Sequence, residues 1–329
     1  AEVFWLGTRQ GLEARLVPEQ GIDMEWITVE GLRGSGKARL LKAPFKLSLA
    51  LFQALRVVRL RRPVVALGMG GFASGPGGLV ARLLGVPLVV HEQNKIPGLT
   101  NRWLARIAVR VFEAFPGSFP PERNAHACGN PVRREIAHLP PPAQRFAGRS
   151  GPLRLLVLGG SQGARVLNET VPAALARMDV SVRPSVRHQA GTRTLAQAQA
   201  AYQDNGVAAE VIPFIADMAE AYGWADLVIG RAGALTLSEL AAAGVGAVLV
   251  PFPHAVDDHQ TKNAGWLVDA GAAILLPQSE LSPERLEKIV RSEAGSRRRL
   301  LALAEAARNQ SMTAADETLA RACLEVAES

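Results

Sequence analysis

The sequence has few cysteines and no long apolar run. Cys128 and Cys323 are the only cysteines among 329 residues, which excludes a disulfide framework and fits a reducing compartment. The longest apolar stretch, around residues 47–55, is far shorter than the roughly 20 residues that a membrane-spanning helix needs. We also expect no signal peptide at its start. These absences predict a soluble, cytoplasmic protein.

Several nucleotide and metal motifs are also absent. There is no Gly-Lys-Ser or Gly-Lys-Thr of a Walker A loop, and the segment closest to G-x-G-x-x-G has Ala73 at its last position. ATPase and nicotinamide-cofactor interpretations therefore lose support. No histidine and cysteine cluster has zinc spacing, and no Asp-x-Asp pair could hold a divalent ion against a diphosphate. The sequence predicts a metal-free mechanism without a cofactor.

Acidic residues are scarce in the first half of the chain. Residues 1–133 hold 18 Lys and Arg against 9 Asp and Glu, whereas residues 134–329 hold 19 against 21. One stretch without any acidic residue carries Arg33, Lys37, Arg39, Lys42, Lys46, Arg56, Arg59, Arg61 and Arg62. Such a block favours nucleic acid or anionic phospholipid. It lacks tyrosine and tryptophan for stacking on bases, so we expect phospholipid and no nucleic acid.

Short apolar runs alternate with longer helical patterns, which is typical of βαβ units and a parallel sheet. The length of 329 residues suggests two domains. The predicted strands are residues 3–6, 64–67, 88–90, 153–158, 211–212, 227–229 and 247–250. Residues 131–152, rich in proline, are predicted to be a linker, with a domain boundary near Arg133. Residues 297–328 are predicted to form one or two amphipathic helices.

Three glycine-rich segments each follow a predicted strand and lead toward a helix: residues 68–78, 159–164 and 230–236. Glycine lets the backbone approach an oxyanion, and a helix N-terminus favours a phosphate there. We interpret the three as candidate pyrophosphate cradles; for any single one, a simple tight turn is the alternative. In the helix that follows the third segment, Thr236 and Glu239 share a face, and the Glu239 carboxylate could accept hydrogen bonds from ribose hydroxyls there. The alternative is that Glu239 only complements the helix dipole.

Polar side chains follow two other predicted strands. Gln260 and Asn263 come after the strand at residues 247–250, and amides suit sugar hydroxyls. A solvated polar loop is the alternative there. His91 and Glu92 end the strand that begins at residue 88, and Glu92 is a candidate general base. His91 could equally be a buried, hydrogen-bonded side chain.

The basic block surrounds an apolar helix for which Pro44 suits the first turn. One face is predicted to point inward and the other outward, formed respectively by Leu47, Leu51, Leu55 and Val58, and by Phe45, Leu49 and Phe52. An apolar face flanked by cations favours binding to anionic lipid. The alternative is a helix buried on both sides with a solvated rim of arginines.

Five segments together closely resemble the MurG family, the bacterial UDP-N-acetylglucosamine:lipid I N-acetylglucosaminyltransferases: GMGGFASGPGG, HEQN, GNPVR, GGSQGA and RAGALTLSELAAAG. The resemblance implies an α/β GT-B fold of two Rossmann-like domains with parallel sheets facing each other across a cleft. Residues 1–132 would form the acceptor and membrane-facing domain, and residues 133–310 the UDP-GlcNAc-binding domain. Residues 311–329 would form a helix that crosses back to the first domain.

The resemblance also implies site residues. UDP-GlcNAc would be bound by Asn94, Arg133, Ser161, Ile215, Ala234, Leu235, Thr236, Leu237, Ser238, Glu239 and Gln260. Among these, Arg133 and the Ile215 backbone would contact the uracil, Ser161 and the Ala234 helix the diphosphate, Glu239 the ribose, and Gln260 the GlcNAc. The acceptor pyrophosphate would meet Gly70, Gly71, Ser74 and Gly75. Membrane contact would involve Phe45, Leu49, Phe52, Arg56 and Arg59.

The activity implied is an inverting, metal-independent transfer of GlcNAc to the 4-hydroxyl of MurNAc in lipid I, giving lipid II for peptidoglycan. The partners implied are lipid I, anionic phospholipid at the cytoplasmic face of the inner membrane, and other cell-wall and division proteins. Residues 2–8 resemble the family's second strand, so we expect the first strand and its His-ending glycine loop to be missing, which leaves Glu92 as the candidate base. The alternatives are a UDP-GlcNAc epimerase of the same fold and a basic surface-binding module without catalysis.

Overall fold

The computed structural model describes residues 2–29, 37–160, 163–294 and 296–328, so Arg33 and Ser161 lie outside the described residues. The strands within these ranges are β1 (Phe4–Gly7), β2 (Asp23–Trp26), β3 (Ala66–Gly68), β4 (Leu88–Glu92), β5 (Arg110–Glu113), β6 (His126–Ala127), β7 (Arg154–Leu158), β8 (Ser185–Gln189), β9 (Glu210–Ile212), β10 (Leu227–Gly230), β11 (Gly246–Leu249) and β12 (Ala273–Leu275).

The α-helices alternate with these strands along most of the chain. They are α1 (Glu13–Leu16), α2 (Lys37–Arg61), α3 (Gly71–Leu83), α4 (Leu99–Leu104), α5 (Arg134–Ala137), α6 (Pro142–Phe146), α7 (Arg165–Ala176), α8 (Leu195–Asp204), α9 (Met218–Trp224), α10 (Ala234–Ala243), α11 (His259–Asp269), α12 (Pro283–Ala294), α13 (Arg297–Asn309) and α14 (Ala315–Glu328).

The chain divides into two compact units. Unit 1 comprises Ala1–Cys128 and Asp316–Ser329, and unit 2 comprises Gly129–Ala315. In unit 1, β3, β4, β5 and β6 form a parallel sheet in that order, and β1 pairs with β2 in a separate parallel pair. Helix α14 belongs to unit 1, where Leu319 and Val326 pack in one apolar cluster with Val89 and Phe112.

Unit 2 is a doubly wound domain. Its six strands are all parallel in the order β12-β11-β10-β7-β8-β9, so the chain proceeds outward from β7 in one direction and then returns to continue from β10 in the other. The central strands are apolar on both faces. Leu155, Val157, Leu227 and Ile229 are buried in the main core on one face, and Leu156 and Val228 are fully buried on the other. A parallel sheet covered by helices on both faces requires such continuous apolar strands.

The predicted linker at residues 131–152 is wrong. This segment forms α5 and α6, and Ile136 is fully buried. Arg145 and Arg149 from the same segment donate to the carbonyls of Tyr222 and Ala225 in unit 2. Proline sets the short helices apart without preventing their packing, because Pro142 occupies the first turn of α6, where its missing N–H would have no partner.

Helix α2 also differs from the prediction at two residues. It begins at Lys37, so Pro44 lies inside the helix rather than at its start. Leu47, predicted to point inward, is 48% exposed, whereas Ala50 and Ala54 are fully buried. Leu47 lies on the same face one turn before Ala50, so the covered part of this face begins near Ala50.

Candidate functional site

The carboxyl ends of β7 and β10 meet at the point where the strand order of unit 2 reverses. Leu158 pairs with Gly230 in register, so the second and third glycine segments leave the sheet side by side. Ligands of open α/β sheets bind at such a switch point. Gly163 has a φ of +78°, and a Cβ there would lie 2.5 Å from the Ala190 carbonyl oxygen, so this glycine is needed for close packing as well.

Helix α10 starts at this switch point. Its first helical hydrogen bond is donated by the Leu237 amide to the Gly233 carbonyl at 3.0 Å, so the amides of Ala234, Leu235 and Thr236 have no acceptor within the helix. Together with the positive end of the helix dipole, these amides suit an anion. The third glycine segment therefore presents unbonded amides at the place where the sequence predicts a phosphate site.

The side chains of α10 divide between the interior and the ligand side. Leu237 is fully buried, and Ser238 is buried with its hydroxyl donating to the Ala234 carbonyl at 3.1 Å and accepting from Nδ2 of the Asn130 side chain at 3.1 Å. These two side chains pack inside unit 2, and the Leu237 amide is already bonded to the Gly233 carbonyl, so neither side chain is available to a ligand. Leu235, by contrast, is 55% exposed.

Glu239 lies one turn further along α10 and is partly buried. Its Oε2 accepts a hydrogen bond of 3.1 Å from the hydroxyl of Tyr222 in α9. Burial raises the pKa of the Glu239 carboxyl, while the Tyr222 hydrogen bond and the positive charge of Arg133 act in the opposite direction. Arg133, the residue before α5, is exposed, and its positive charge acts on the Glu239 carboxylate.

The loop after β11 brings Gln260 to the same edge of the sheet, because Leu249 pairs in register with Gly230. The Phe252 amide donates to Oε1 of Gln260 at 2.9 Å. Arg231 fixes this loop: its guanidinium donates to the carbonyls of Val250 and Pro251 at 3.0 and 3.1 Å.

Ile215 reaches the site from the loop after β9. Its amide donates to Oε1 of Gln189, at the end of β8, over 3.3 Å, so the carbonyl is the backbone group of Ile215 that remains for a ligand. Arg133, Ile215, Glu239 and Gln260 thus all belong to unit 2, whereas Asn94 belongs to unit 1.

Tyr222 and Arg231 are functional candidates that sequence reasoning missed. Arg231 belongs to the third glycine segment, and the sequence alone assigns it no role. Its position directly after a buried strand was the sequence feature that could have identified it. Nothing in the sequence pointed to Tyr222, because the contact to Glu239 joins residues 17 positions apart in different helices.

In unit 1, the Glu92 carboxylate is buried and surrounded by donors. Oε1 accepts from the Asn94 amide at 2.9 Å and from Nδ2 of Asn94 at 3.3 Å. Oε2 accepts from the Gly98 amide at 3.1 Å and from Nδ2 of Asn101 at 2.8 Å. With 2% exposure and both oxygens engaged, Glu92 does not present a free oxygen to an acceptor hydroxyl. These contacts argue against the predicted general base.

The first glycine segment is mostly helix. Gly70, at the N-cap of α3, and Gly71 both have positive φ, of 81° and 76°, and a Cβ on Gly71 would meet no atom within 4 Å. This end of α3 is therefore open to a ligand. The Ser74 hydroxyl donates to the Gly70 carbonyl, and Gly75 faces Thr100 of α4. These two residues therefore contact the protein's own turn and the neighbouring helix.

The outward face of α2 is apolar and exposed. Phe45, Leu49 and Phe52 are 76%, 37% and 65% exposed, and Arg56 and Arg59 continue the same side of the helix in exposed positions. The alternative of a helix buried on both faces therefore does not describe α2. No helix in the described ranges is long and apolar enough to cross a membrane.

Comparison with known proteins identifies the family of the chain. The glycosyltransferase family 28 N-terminal and C-terminal domain models match residues 1–113 and 154–319. A Nitrosococcus oceani protein named UDP-N-acetylglucosamine–N-acetylmuramyl-(pentapeptide) pyrophosphoryl-undecaprenol N-acetylglucosamine transferase is 57% identical over 326 residues, which cover 99% of this chain and 91% of that protein.

Solved structures give the same result. The crystal structure of Acinetobacter baumannii MurG superposes with a TM-score of 0.86 at 40% identity and covers 98% of this chain and 91% of that chain. A Neisseria meningitidis UDP-GlcNAc 2-epimerase, at 10% identity and a TM-score of 0.63 over 97% of this chain and 90% of its own, shares only the fold. The predicted α/β, GT-B fold class with parallel sheets is confirmed. The chain belongs to glycosyltransferase family 28 and, within it, to the MurG family.

Proposed function

We propose that this chain transfers GlcNAc from UDP-GlcNAc to the MurNAc unit of lipid I, giving lipid II for peptidoglycan synthesis. The observation that carries the proposal is the 57% identity to the Nitrosococcus oceani transferase across 99% of the chain. The geometry of unit 2 supports it, since an anion site, a carboxylate and an amide converge at the sheet's switch point.

For the donor, we assign each group of unit 2 to a part of UDP-GlcNAc. The backbone amides at the start of α10 bind the diphosphate, and the Glu239 carboxylate accepts hydrogen bonds from the ribose hydroxyls. Arg133 and the Ile215 carbonyl contact the uracil, and Ser161, outside the described residues, assists the diphosphate. Gln260 donates to the GlcNAc, because its Oε1 is already bonded to the Phe252 amide.

The chemistry is a single displacement. The 4-hydroxyl oxygen of MurNAc attacks C1 of GlcNAc as the bond from C1 to the UDP oxygen breaks, which inverts the configuration at C1. The hydroxyl proton passes to a base, and UDP leaves with an additional negative charge. The α10 amides stabilise that charge as it develops, so we propose that no metal ion is required.

For the acceptor, we propose that the open end of α3 at Gly70 and Gly71 binds the lipid I pyrophosphate, with Ser74 and Gly75 supporting the turn. Glu92 then has a structural role, because it holds Asn94 and the loop to Gly98 in place. Asn94 is the side chain of this loop that we assign to the donor, with its Nδ2 bonded to Glu92 over a long 3.3 Å.

We further propose that the protein binds the cytoplasmic face of the inner membrane peripherally. Its substrate lipid I carries an undecaprenyl chain, so the acceptor half must approach the bilayer. The exposed face of α2, with Phe45, Leu49, Phe52, Arg56 and Arg59, combines apolar area with positive charge. Stable peripheral binding usually needs both signals.

The test is transfer of label from UDP-GlcNAc to a short-chain lipid I analogue, with and without EDTA. We expect a β-linked disaccharide product in both conditions. Loss of transfer in EDTA, restored by a divalent ion, would contradict metal independence alone. Absence of transfer at any metal concentration would contradict the proposed activity.

An epimerase is the second candidate function, because UDP-GlcNAc 2-epimerases share the fold. UDP-GlcNAc incubated without lipid acceptor distinguishes the two. Conversion to the C2 epimer under these conditions would favour the epimerase, and an unchanged nucleotide sugar together with transfer to lipid I favours the transferase.

A further inference from the structure

Tyr222 and Glu239 form a buried pair beside the proposed ribose site. Tyr222 has no exposed surface, and its hydroxyl donates to Oε2 of Glu239 at 3.1 Å. The other carboxylate oxygen, Oε1, accepts no hydrogen bond from the described part of the chain, and it is not among the side-chain atoms that are fully buried there. One oxygen of Glu239 is therefore held, and the other is left for a ligand.

The Tyr222 ring is itself fixed in place. Asp217 caps α9 by accepting from the Glu220 amide at 2.8 Å. At the other end of this helix, Arg145 donates to the Tyr222 carbonyl at 3.1 Å and Arg149 to the Gly223 carbonyl at 2.5 Å. Two guanidinium groups thus hold the backbone that carries the ring, so the hydroxyl is positioned before any ligand arrives.

The Tyr222 hydroxyl also affects the protonation of Glu239. Burial raises the pKa of the Glu239 carboxyl and so favours a protonated acid, which would be a poorer acceptor of ribose hydroxyls. Burial also raises the pKa of Tyr222 well above its ordinary value, so the phenol keeps its proton and donates it to Oε2. The hydrogen bond therefore helps to keep Glu239 ionised, with Arg133 acting in the same sense.

We propose that Tyr222 is a positioning residue for nucleotide binding: its hydroxyl orients the Glu239 carboxylate so that Oε1 faces the ribose hydroxyls. This inference rests on the proposed function, in which Glu239 binds the ribose. Tyr222 does not touch the nucleotide. Removal of its hydroxyl leaves the carboxylate free to rotate and easier to protonate, which weakens hydrogen bonds to the ribose and to no other part of UDP.

The test compares UDP with 2′-deoxy-UDP, because only the ribose differs between them. We expect the wild-type protein to bind UDP about tenfold more tightly than the deoxy nucleotide, the scale of one hydrogen bond to a charged group. In Tyr222→Phe this preference falls to about twofold, because the remaining bond is no longer oriented. Isothermal titration calorimetry of both nucleotides gives the ratio.

The matched control is Tyr202→Phe. Tyr202 is the only other tyrosine, is 3% exposed in α8, and lies with its hydroxyl 3.0 Å from Nδ1 of His188, so its change removes a comparable buried hydrogen bond. We expect this variant to retain the wild-type preference for UDP. If Tyr222→Phe weakens both nucleotides equally, its role is only structural and the proposal is overturned.

Glu239→Gln separates this inference from the proposed function. If that variant keeps the wild-type ratio, Glu239 does not bind the ribose and the donor-site assignment fails. If Glu239→Gln abolishes the preference while Tyr222→Phe keeps it, only the positioning role fails.

If Tyr222→Phe does not fold, a fluorine label on the Tyr222 ring provides a second measurement. In the Tyr202→Phe protein, position 222 holds the single tyrosine, so 3-fluorotyrosine reports on that ring alone. Its fluorine resonance should shift when UDP binds and shift less with 2′-deoxy-UDP. A resonance that stays unchanged at saturating UDP would overturn the proposal.

Discussion

Gln260 has one end of its amide already engaged. Oε1 accepts the Phe252 amide at 2.9 Å, and Arg231 holds the same loop through the carbonyls of Val250 and Pro251. The NH₂ group is therefore the end that remains for the sugar, and it can only donate. A sugar hydroxyl that meets it must offer a lone pair, and this requirement distinguishes hydroxyl positions more strictly than a freely rotating amide would.

We expect Gln260→Ala to lower the preference for UDP-GlcNAc over UDP-GalNAc by about tenfold, while UDP affinity changes less than about twofold. Gln260→Glu keeps an acceptor for the Phe252 amide but replaces the donor by a second oxygen, so discrimination should fall at least as far. Gln197→Ala, on the exposed side of α8, is the control. Transfer rates with both nucleotide sugars give the preference, and an unchanged value in both Gln260 variants would assign sugar recognition to another residue.

Glu239 leads to a prediction about pH. Ribose hydroxyls donate to the ionised carboxylate, so UDP affinity should be complete above the pKa of Glu239 and fall as the pH decreases through it. Because burial raises that pKa, the decrease begins at a higher pH than an exposed glutamate would give. The loss is limited to the ribose contribution, about 10- to 100-fold.

Calorimetry of UDP binding across the acidic range measures this decrease. Glu239→Gln is the control, because its remaining pH dependence comes from the phosphates of the nucleotide. Superimposable pH curves for the wild type and Glu239→Gln would show that Glu239 does not titrate with binding.

At the scale of elements, the neighbouring strands β4 and β5 each end in a glutamate whose carboxylate accepts hydrogen bonds from the backbone of the following loop. Glu92 ends β4 and accepts from the amides of Asn94 and Gly98. Glu113 ends β5 and accepts from the amides of Gly117 and Phe119 at 2.6 and 2.9 Å. Each carboxylate replaces the hydrogen bonds that the backbone loses where the strand stops, so each one shapes the loop that follows.

We therefore expect Glu92→Gln and Glu113→Gln to behave alike. In each, an NH₂ group faces backbone donors, which should lower the free energy of unfolding by about 2 to 4 kcal/mol. Transfer by the folded fraction should fall less than about tenfold, because both carboxylates are engaged with donors of their own loops and neither presents a free oxygen to the acceptor hydroxyl. Urea denaturation and transfer assays on the same samples measure both. A Glu92→Gln protein of normal stability with a loss above about a thousandfold would instead restore Glu92 as the base.

The sequence predicts seven of the twelve strands that the structure describes. Four of the five that it misses contain polar residues, namely β2, β5, β6 and β8, and the fifth, β12, is a short apolar strand. The seven predicted strands all correspond to observed strands, within about two residues. Strand β8, with the sequence SVRHQ, was not predicted, because His188 and Gln189 are buried only through its pairing with β7 and β9. Arg187 in the same strand is neutralised by Glu210 and Glu220, which are distant in the chain.

The same distinction applies to the candidate site. The glycine segments and the Glu239 helix were predictable, because glycine and helix N-termini have local signatures. The role of Glu92 was not, because its four donors depend on how the loop to Asn101 folds back on the strand. Short-range chemistry can thus be inferred from the sequence, whereas the number of donors around a buried carboxylate cannot.

At the scale of the whole molecule, positive charge is concentrated in the first half of the chain, with 18 Lys and Arg against 9 Asp and Glu up to residue 133. Arg61 is part of the structure of unit 1, since it binds Glu25 at 2.7 Å and Asp23 at 3.2 Å. Arg56, Arg59 and Arg62 are exposed beside the apolar face of α2. These three cations can therefore meet a lipid surface without loss of an internal ion pair.

Binding to anionic vesicles should have two separable parts. Each cation near the surface contributes about 1 kcal/mol, and salt screens this part. Changing Arg56, Arg59 and Arg62 together to Gln should remove most of the binding that is lost at high salt. Phe45→Ser with Phe52→Ser should instead weaken the part that survives high salt, since apolar insertion is not screened. Flotation with vesicles containing phosphatidylglycerol, at low and high salt, measures both.

Matched changes in unit 2 serve as controls. Arg177, Arg285 and Arg291 are exposed by 49%, 56% and 64%, and their change to Gln alters the net charge equally. Val180→Ser with Val182→Ser removes exposed apolar area elsewhere. If these controls reduce flotation as much as the α2 variants do, binding follows overall charge and hydrophobicity rather than the α2 face. If the double Phe variant unfolds, these side chains belong to the core despite their exposure, and the membrane proposal for α2 fails.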